Sequence, residues 1–320
     1  MGVKISVVIP NWNGEKFLRG CLQSLRGQTF DSFEVILVDN ASTDGSLALV
    51  EREFPEVKVV RLPRNAGLTG GANAGIKMAR GEVIALLNND AEAHPRWLEA
   101  LWSALERHPD AGMAASKILL YDRRDIINSA GDFYRLDGIP GNRGVWEKDT
   151  GQYDREEYVF AACGGAAAYR KIMLKEIGNF DEDMFMYCED VDLAWRAQIA
   201  GYRCIYTPEA IAYHRLSATG GGKLASFYNG RNFIYVLAKD YPESLFRKYW
   251  PLILKAQLKI TADALRAWRG EAARARIRGQ LAGLMAIPIA LSKRKAVYAL
   301  RRVPDAYLES LLLHPQGGNS

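Results

Sequence analysis

The stretch LLNNDAEAHPRWL, Leu86 to Leu98, decides the fold of this chain. An apolar run ends on two asparagines and one aspartate, and a helical pattern then begins. A strand that stops on a polar cluster ahead of a helix marks the carboxyl edge of an α/β sheet, where such proteins bind ligands. A lone carboxylate there, Asp90, suits a hard divalent cation that completes its shell with phosphate and water. Asn88 and Asn89 orient a ligand without adding charge. The competing reading of the same residues is a cap on the following helix.

Working outward, the same alternation recurs on the amino-terminal side. VKISVVIP is a β-branched run, and EKFLRGCLQSLRGQ follows with helical spacing. FEVILVDN reads as a second strand, and STDGSLALVEREF as a helix with Ser42 or Thr43 as N-cap. VKVVRLP is a third strand and LTGGANAGIKMA a small-residue helix. GEVIALLNND is the fourth strand, and PRWLEALWSALERH a helix with Pro95 in its first turn. This spacing predicts a mostly parallel sheet with helices on both faces. After Ala111 the pattern changes: residues 116–160 are polar and irregular and read as a long excursion or flap. YVFAACGGAAAYRK then resumes a strand, MYCEDVDLAWRAQIAGYR a helix, and RCIYTPEAIAYHR one or two strands. From about Gly222 the chain reads as helical and increasingly basic.

The 320 residues, 48% hydrophobic and 25% charged, suit one large domain or one domain with an appendage. Cys21, Cys163, Cys188 and Cys204 lie far apart with no CxxC pair, which argues against a zinc cluster or a disulfide scaffold and suits a reducing cytoplasm. Each reads as a small buried apolar residue. The start, MGVKISVVIPNWNG, runs into a strand with no cleavable signal expected. The longest apolar stretch of the tail, LAGLMAIPIAL (Leu281 to Leu291), is too short to span a bilayer and contains Pro288. From residue 245 onward there are fourteen Lys and Arg against four Asp and Glu, a net of +10, whereas residues 1–244 carry −5. A basic segment on an acidic body points to an anionic partner such as a membrane surface.

Two glycine-rich stretches exclude familiar nucleotide folds. NAGLTGGANAG (Asn65 to Gly75) contains no GxGxxG, and ATGGGKL (Ala218 to Leu224) has Ser217 where a P-loop has its first glycine and Leu224 after the lysine. Neither a dehydrogenase nor a P-loop NTPase is supported. Gly70 and Gly71 either pack a helix closely on the sheet or admit a phosphate to a helix N-terminus. Asp39 ends the second strand at the sheet edge, where it can accept from a base N–H or a ribose hydroxyl; Asp44 fits an Asx turn or a cap. In CEDVDLAWRAQIAGYR, a helix starting near Glu189 carries Glu189, Asp190 and Asp192 in its first turn. Its dipole favours their ionised forms, as a general base requires. Arg196 is placed to pair with Asp192 at i to i+4. His214, in AIAYHR, is by itself a strand-end histidine of either structural or ligating use.

Taken in order, SVVIPNWNG, VDNASTDGS, NAGLTGGANAGI, GEVIALLNNDA, CGGAAAYRK, FDEDMFMYCEDVDLAWRAQIAGY and YHR resemble the inverting glycosyltransferases of family 2, with the GT-A fold, over roughly residues 4–240. Within that family the chain is most similar to bacterial rhamnosyltransferase-like enzymes of cell-surface polysaccharide assembly, which share the NND form and the later YNGRNFIYVLAKDYP stretch. The resemblance implies a GT-A catalytic domain over 1–221, with a nucleotide-sugar half at 1–110 and an acceptor half at 111–221. A helical basic region, 222–320, follows. It further implies that Pro10 and Asn11 line the nucleotide site, that Asp39 holds a pyrimidine base, and that Asn65, Gly70 and Asn73 lie near the nucleotide or its sugar, with Asn88 and Asn89 on the donor. Asp90 matches the last acid of the family's DXD metal motif, whose first acid is Asn88 here. His214 matches a further ligand, for Mg2+ or Mn2+. Asp190 matches the catalytic base, with Glu189 beside it.

The implied activity is transfer of a sugar from a nucleotide diphosphate donor, dTDP-rhamnose or a UDP-sugar, to a saccharide or polyprenyl-linked acceptor. Two other classes are set against it. A nucleotidyltransferase needs more metal carboxylates and a basic glycine-rich loop, which PNWNGEKF matches poorly. A non-catalytic scaffold of the same fold is favoured only by Asn88 and opposed by the intact Glu189–Asp190 pair. For the tail, a basic amphipathic segment over 245–303 either docks on the inner face of the cytoplasmic membrane or packs on the protein or in a homodimer, its charges solvated. No nucleic-acid motif is present, and the expected location is cytoplasmic.

Overall fold

ISVVIPN (β1, Ile5–Asn11) has every residue buried, as a strand covered on both faces must. In the computed structural model, which describes residues 2–215 and 221–315, β1 lies between two parallel neighbours. The helix α1 (Glu15–Arg26) leads to β2 (Phe33–Asp39), α2 (Ser46–Glu53) to β3 (Lys58–Arg61), and α3 (Gly67–Met78) to β4 (Val83–Leu87). These strands pair parallel in the order β3-β2-β1-β4. Side chains alternate between two cores: Val8 faces α3, while Val7 and Ile9 face α1 and α2.

The second half departs from this regularity. After β5 (Ala91–Ala93) and α4 (Trp97–Arg107) come β6 (Ala111–Leu120), β7 (Ile127–Ala130), β8 (Asp132–Tyr134), β9 (Pro140–Asn142), β10 (Glu157–Val159) and β11 (Ala166–Arg170). The helices α5 (Lys171–Ile177) and α6 (Glu189–Ile199) precede the long strand β12 (Arg203–His214). β11 inserts antiparallel between β4 and β6, β12 runs parallel to β6, and β5 and β10 pair antiparallel with β12. RCIYTPEAIAYHR is thus one strand. It is interrupted where the pairing jumps from Thr207–Ser116 to Ile211–Lys117, around Pro208, which has no N–H to donate.

Three local expectations are corrected. Residues 116–160 are not an irregular flap: β6 runs on to Leu120, and Ile126, Ile127, Ala130, Tyr134 and Leu136 are core. The helix α2 starts at Ser46, not at Ser42 or Thr43, whose backbone and hydroxyl are spent on the loop after β1: Asn13 N donates to Ser42 Oγ (3.0 Å) and Thr43 N to Asn13 Oδ1 (2.8 Å). Gly45 is the N-cap, and Asp44 ahead of it forms an Asx turn, accepting from Ser46 N (3.1 Å) and also from Glu15 N (3.0 Å) at the start of α1. Cys21, Cys188 and Cys204 are buried, but Cys163 is half-buried.

The basic region forms α7 (Lys223–Lys239), α8 (Glu243–Arg266), α9 (Glu271–Ala299) and α10 (Asp305–Ser310). Residues 216–220, which include the start of the P-loop-like ATGGGKL, lie outside the described residues. Among the described residues no helix is long and apolar enough to cross a membrane. α7 and α9 touch backbone to backbone. A Cβ at Gly279 would lie 2.1 Å from Phe227 O, and one at Gly283 2.7 Å from Arg231 O.

α7 also braces the loop that enters α6. Phe185, Tyr187 and Cys188 all have φ near +63°, an arrangement that costs each residue about 1 kcal/mol or more. The fully buried Asn232 amide holds this loop, donating to Met184 O (3.1 Å), Met186 O (3.0 Å) and Tyr187 O (2.7 Å). From the other side Thr69 N donates to Phe185 O (3.2 Å). Asn232→Leu, similar in branching but without donors, is expected to lower unfolding free energy by about 2–5 kcal/mol, because buried carbonyls lose their partner. Urea unfolding of the two proteins measures it; a change within error would show that the loop holds itself.

Candidate active site

At the carboxyl ends of β1 and β4 the chain encloses a cleft of about 520 Å³. Of the residues singled out in the sequence, Pro10, Asn11, Asn65, Asn88, Asn89, Asp90, Glu189, Asp190 and His214 all line it. Asp39, Gly70 and Asn73 do not. Asp39 is buried at the end of β2, and its carboxylate accepts from Ser42 N (3.3 Å to each oxygen). Asn73 is spent on structure: its amide donates to Phe180 O (2.9 Å) and Glu182 Oε1 (3.0 Å) and accepts from Phe180 N (3.0 Å). Gly70 and Asn73 border a separate surface depression. The glycine that meets the cleft wall is Gly71, where a Cβ would sit 3.1 Å from Pro10 Cβ and 2.8 Å from Asn40 Nδ2.

One side of the cleft gathers Asn88, Asp90 and His214. The pairing of β5 with β12 sets His214 opposite Ala91 and so beside Asp90, with His214 Nε2 3.2 Å from Asp90 Oδ1. His214 Nδ1 lies 2.9 Å from Asn128 Oδ1, so a proton on Nδ1 would be donated there and would leave Nε2 facing the carboxylate. Asn88 Oδ1 is buried with no hydrogen-bond partner among the described residues, and Asn88 Nδ2 is 3.4 Å from His214 Nε2. A carboxylate oxygen, an imidazole nitrogen and an unspent amide oxygen fit a divalent cation that tolerates mixed O and N donors. Asn89 instead donates to Asn11 Oδ1 (2.7 Å) and ties the ends of β4 and β1 together.

The opposite side gathers acids. Asp190 accepts from Gly164 N (2.8 Å) and Val191 N (2.8 Å). Burial pushes its carboxyl above the ordinary range, and those two N–H groups pull it part of the way back. Burial and the neighbouring Asp190 charge push Glu189 up, which overrides the helix-dipole expectation of ready ionisation. Asp132, absent from the sequence reading, faces the same point: its carboxylate, Cys163 Sγ and an Asp190 oxygen lie within 4.8 Å of one another. Burial and then Asp190 raise Asp132, although Ser129 Oγ and Asn142 Nδ2 donate to it at 2.8 Å each. Asp190 is the one of these acids with backbone N–H groups donating to it from two residues. Burial and the two acids also hold the Cys163 thiol protonated, so this trio is a poorer cation site than Asp90 and His214. Asp192 does pair with Arg196 (2.7 Å).

Gly164 and Gly165 divide the two sides. A Cβ at Gly164 would lie 3.2 Å from Glu189 Oε1, and one at Gly165 3.6 Å from Asn88 Nδ2. Asn40, Asn128, Asp132 and Asn142 also line the cleft and were missed. Asn40 follows Asp39 in VDN and its amide bridges to Gly67 O (2.9 Å) and Ala66 N (3.2 Å). The others sit in the segment read as irregular, and only their place among buried strands marks them.

The comparisons agree with this geometry. Residues 6–178 match the family described as Glycosyl transferase family 2. The uncharacterized protein y4gI of Sinorhizobium fredii is 30% identical over 68% of this chain, which spans 25% of that protein. The N-acetylglucosaminyl-diphospho-decaprenol L-rhamnosyltransferase of Mycobacterium tuberculosis is 28% identical over 82% of this chain and 92% of its own length. In fold, the mannosyltransferase of Pyrobaculum calidifontis, solved with GDP-Man and Mn2+, superposes with a TM-score of 0.57 at 17% identity, covering 97% of this chain and 84% of that one. The α/β sheet, the cleft at its carboxyl edge and the match over more than half of the sequence carry one conclusion: the chain belongs to glycosyl transferase family 2.

Proposed function

We propose that the chain is a metal-assisted inverting glycosyltransferase. It moves a sugar from dTDP-rhamnose or a UDP-sugar to a saccharide or polyprenyl-linked saccharide acceptor in cell-surface polysaccharide synthesis. The observation that carries the reading is the opposition, across Gly164–Gly165 and within one cleft, of an ionisable Asp190 and the Asn88, Asp90 and His214 cluster. The decaprenol-linked acceptor named for the mycobacterial relative supports the lipid-linked acceptor, and the Mn2+ named for the mannosyltransferase supports the cation.

In this reading the wall built by Pro10, Asn11, Asn40 and Asn65 receives the nucleotide, with Asp39 bracing it through Ser42. Asp90 and His214 would hold Mg2+ or Mn2+, which supplies positive charge to the departing nucleotide diphosphate. Asp190 takes the acceptor hydroxyl's proton on its carboxylate as that oxygen bonds to the anomeric carbon. The bond from that carbon to the diphosphate breaks on the far side, its electron pair staying with the diphosphate, so the configuration inverts. Glu189 and Asp132, pushed up by burial and by Asp190, keep their protons and leave Asp190 as the base.

Asp190→Asn is expected to cut transfer by about 10²–10⁴-fold while donor affinity by calorimetry barely moves. An equal loss of both would make Asp190 a donor ligand. Because the active base is ionised and burial raises its pKa, transfer by the native protein is lost as pH falls through a limb above the usual Asp range near 4. Asp132→Asn replaces a protonated carboxyl with an amide and is expected to leave that limb in place; a limb moved to lower pH would show that Asp132 carries charge beside Asp190. For the cation, dTDP or UDP at a hundred times its Kd adds about 2.7 kcal/mol of stability, read as a rise in Tm. That rise is expected with Mn2+, is abolished by chelation, and is lost in Asp90→Ala and His214→Ala. Stabilisation by the nucleotide with no turnover of any sugar would favour the scaffold.

A further inference from the structure

The helix α9 is built inside out. The side it turns to the protein is small: Ala275, Gly279, Gly283, Ala286 and Ala290 are buried, and the two glycines let α7 approach to backbone contact. The side it turns outward is large and apolar: Leu281 is 56% exposed, Leu284 54%, Met285 81% and Ile289 49%. A helix that packs on a water-bathed core does the reverse. Its neighbour α8, joined to it through Gln257, Thr261 and Gln280, repeats the theme at i, i+4 and i+8. Trp250, Leu254 and Leu258 stand about half exposed, and Leu265 and Trp268 continue the stripe beyond them.

Charge names the occupant. Residues 245–303 contain fourteen Lys and Arg against only Asp263 and Glu271, and Asp263 is already paired with Lys259 and Arg266. Lys255, Lys259 and Arg266 on α8 and Arg278 and Lys295 on α9 are exposed alongside the apolar stripes. We infer that the outer faces of α8 and α9 form a docking surface for an anionic lipid bilayer. The Leu, Met and Trp side chains enter the interface, and the basic side chains reach the headgroups. Neither helix crosses the membrane, in keeping with their hydropathy. A second copy of the chain fits worse, because a twofold contact through this face sets its own basic charges against each other.

The surface would present a lipid-linked acceptor to the cleft, but the inference does not rest on the transferase reading and is tested without donor or acceptor. Full-length protein is sedimented with vesicles of phosphatidylcholine alone or mixed with phosphatidylglycerol. Binding is expected to the anionic vesicles only, to weaken with salt, and to shift Trp fluorescence to the blue. The double variant Leu281→Glu with Met285→Glu, whose side chains touch no core, is expected to melt with the native protein and to bind about tenfold less. Lys255→Glu with Lys259→Glu is expected to abolish the preference for anionic lipid. No binding, equal binding to both vesicle types, or full binding by the Leu281/Met285 variant would overturn the inference. So would a solution dimer that the variant dissociates and that vesicles do not displace. Any of these outcomes leaves the transferase reading standing, and a protein that docks on vesicles yet transfers no sugar would fail only the latter.

Discussion

A single buried carboxylate, Asp192, fixes the frame on which the cleft is built. It has no exposure to water, and its oxygens accept from Arg196 (Nη2 at 2.7 Å) and from Lys239 on α7. Burial works to raise its pKa, but the two cations hold it below the ordinary range. Arg196 spends its other donors on Ile177 O (2.9 Å), Gly178 O (2.8 Å) and Asn179 O (2.9 Å), so one guanidinium closes the turn after α5. Lys239 also meets Asp181 (2.6 Å), and Lys293 on α9 meets Asp183 (2.7 Å). Removing one member of such a group strands the others as uncompensated charge, a loss of about 3–5 kcal/mol. The first turn of α6, which carries Glu189 and Asp190, is therefore fixed from behind by the basic region. Its front is held by Asn232 and Thr69.

With α6 fixed, strand pairing does the rest. β11 runs antiparallel beside β4, so CGG, just ahead of β11, is set against Asn88 just after β4; Asn88 N donates to Gly165 O (2.9 Å). The long strand β12 then carries His214 past β6 to β5. Asp90 and Asp190, one hundred residues apart in the chain, thus share one cleft, and at position 164, where a Cβ would lie 3.2 Å from Glu189 Oε1, glycine leaves that carboxylate room.

Legibility in the sequence followed the range of the forces. The β1 to α4 half rests on local alternation, and its parallel sheet was readable from hydrophobic period alone. The start of α6 at Glu189 and the Asp192–Arg196 pair were readable as well, because both are one-turn features. Asp132, Asn128 and Asn142 were not, because β7, β8 and β9 are three or four residues long and are strands only by virtue of partners elsewhere in the chain. Asn73 and Gly70 show the reverse error: their motif marked the right helix, but the face of α3 on which they lie turns to the 180 loop and not to the cleft. The tail was read as an appendage from composition. What composition could not show is that α7 grips the loop before the acids, since the grip is made by one amide and three carbonyls.

In the proposed reading, charge balance accounts for Asn at position 88. Asp90, Asp132, Glu189 and Asp190 line the cleft, and among the described residues no Lys or Arg does. A diphosphate entering such a site meets repulsion from every side. On the α6 side the repulsion is eased by burial, which keeps protons on Glu189 and Asp132. On the Asp90 side the neighbours are the amides of Asn88, Asn89 and Asn11 and the imidazole of His214. A divalent cation bound there by one carboxylate keeps a net positive charge, whereas two acids, as in a full DXD, would leave it neutral. With no basic side chain among the described residues lining the cleft, that residual charge is what a diphosphate would bind to. On that reading an amide at position 88 would leave the cation's charge to the diphosphate, and its oxygen, which has no hydrogen-bond partner among the described residues, would still offer the cation a donor.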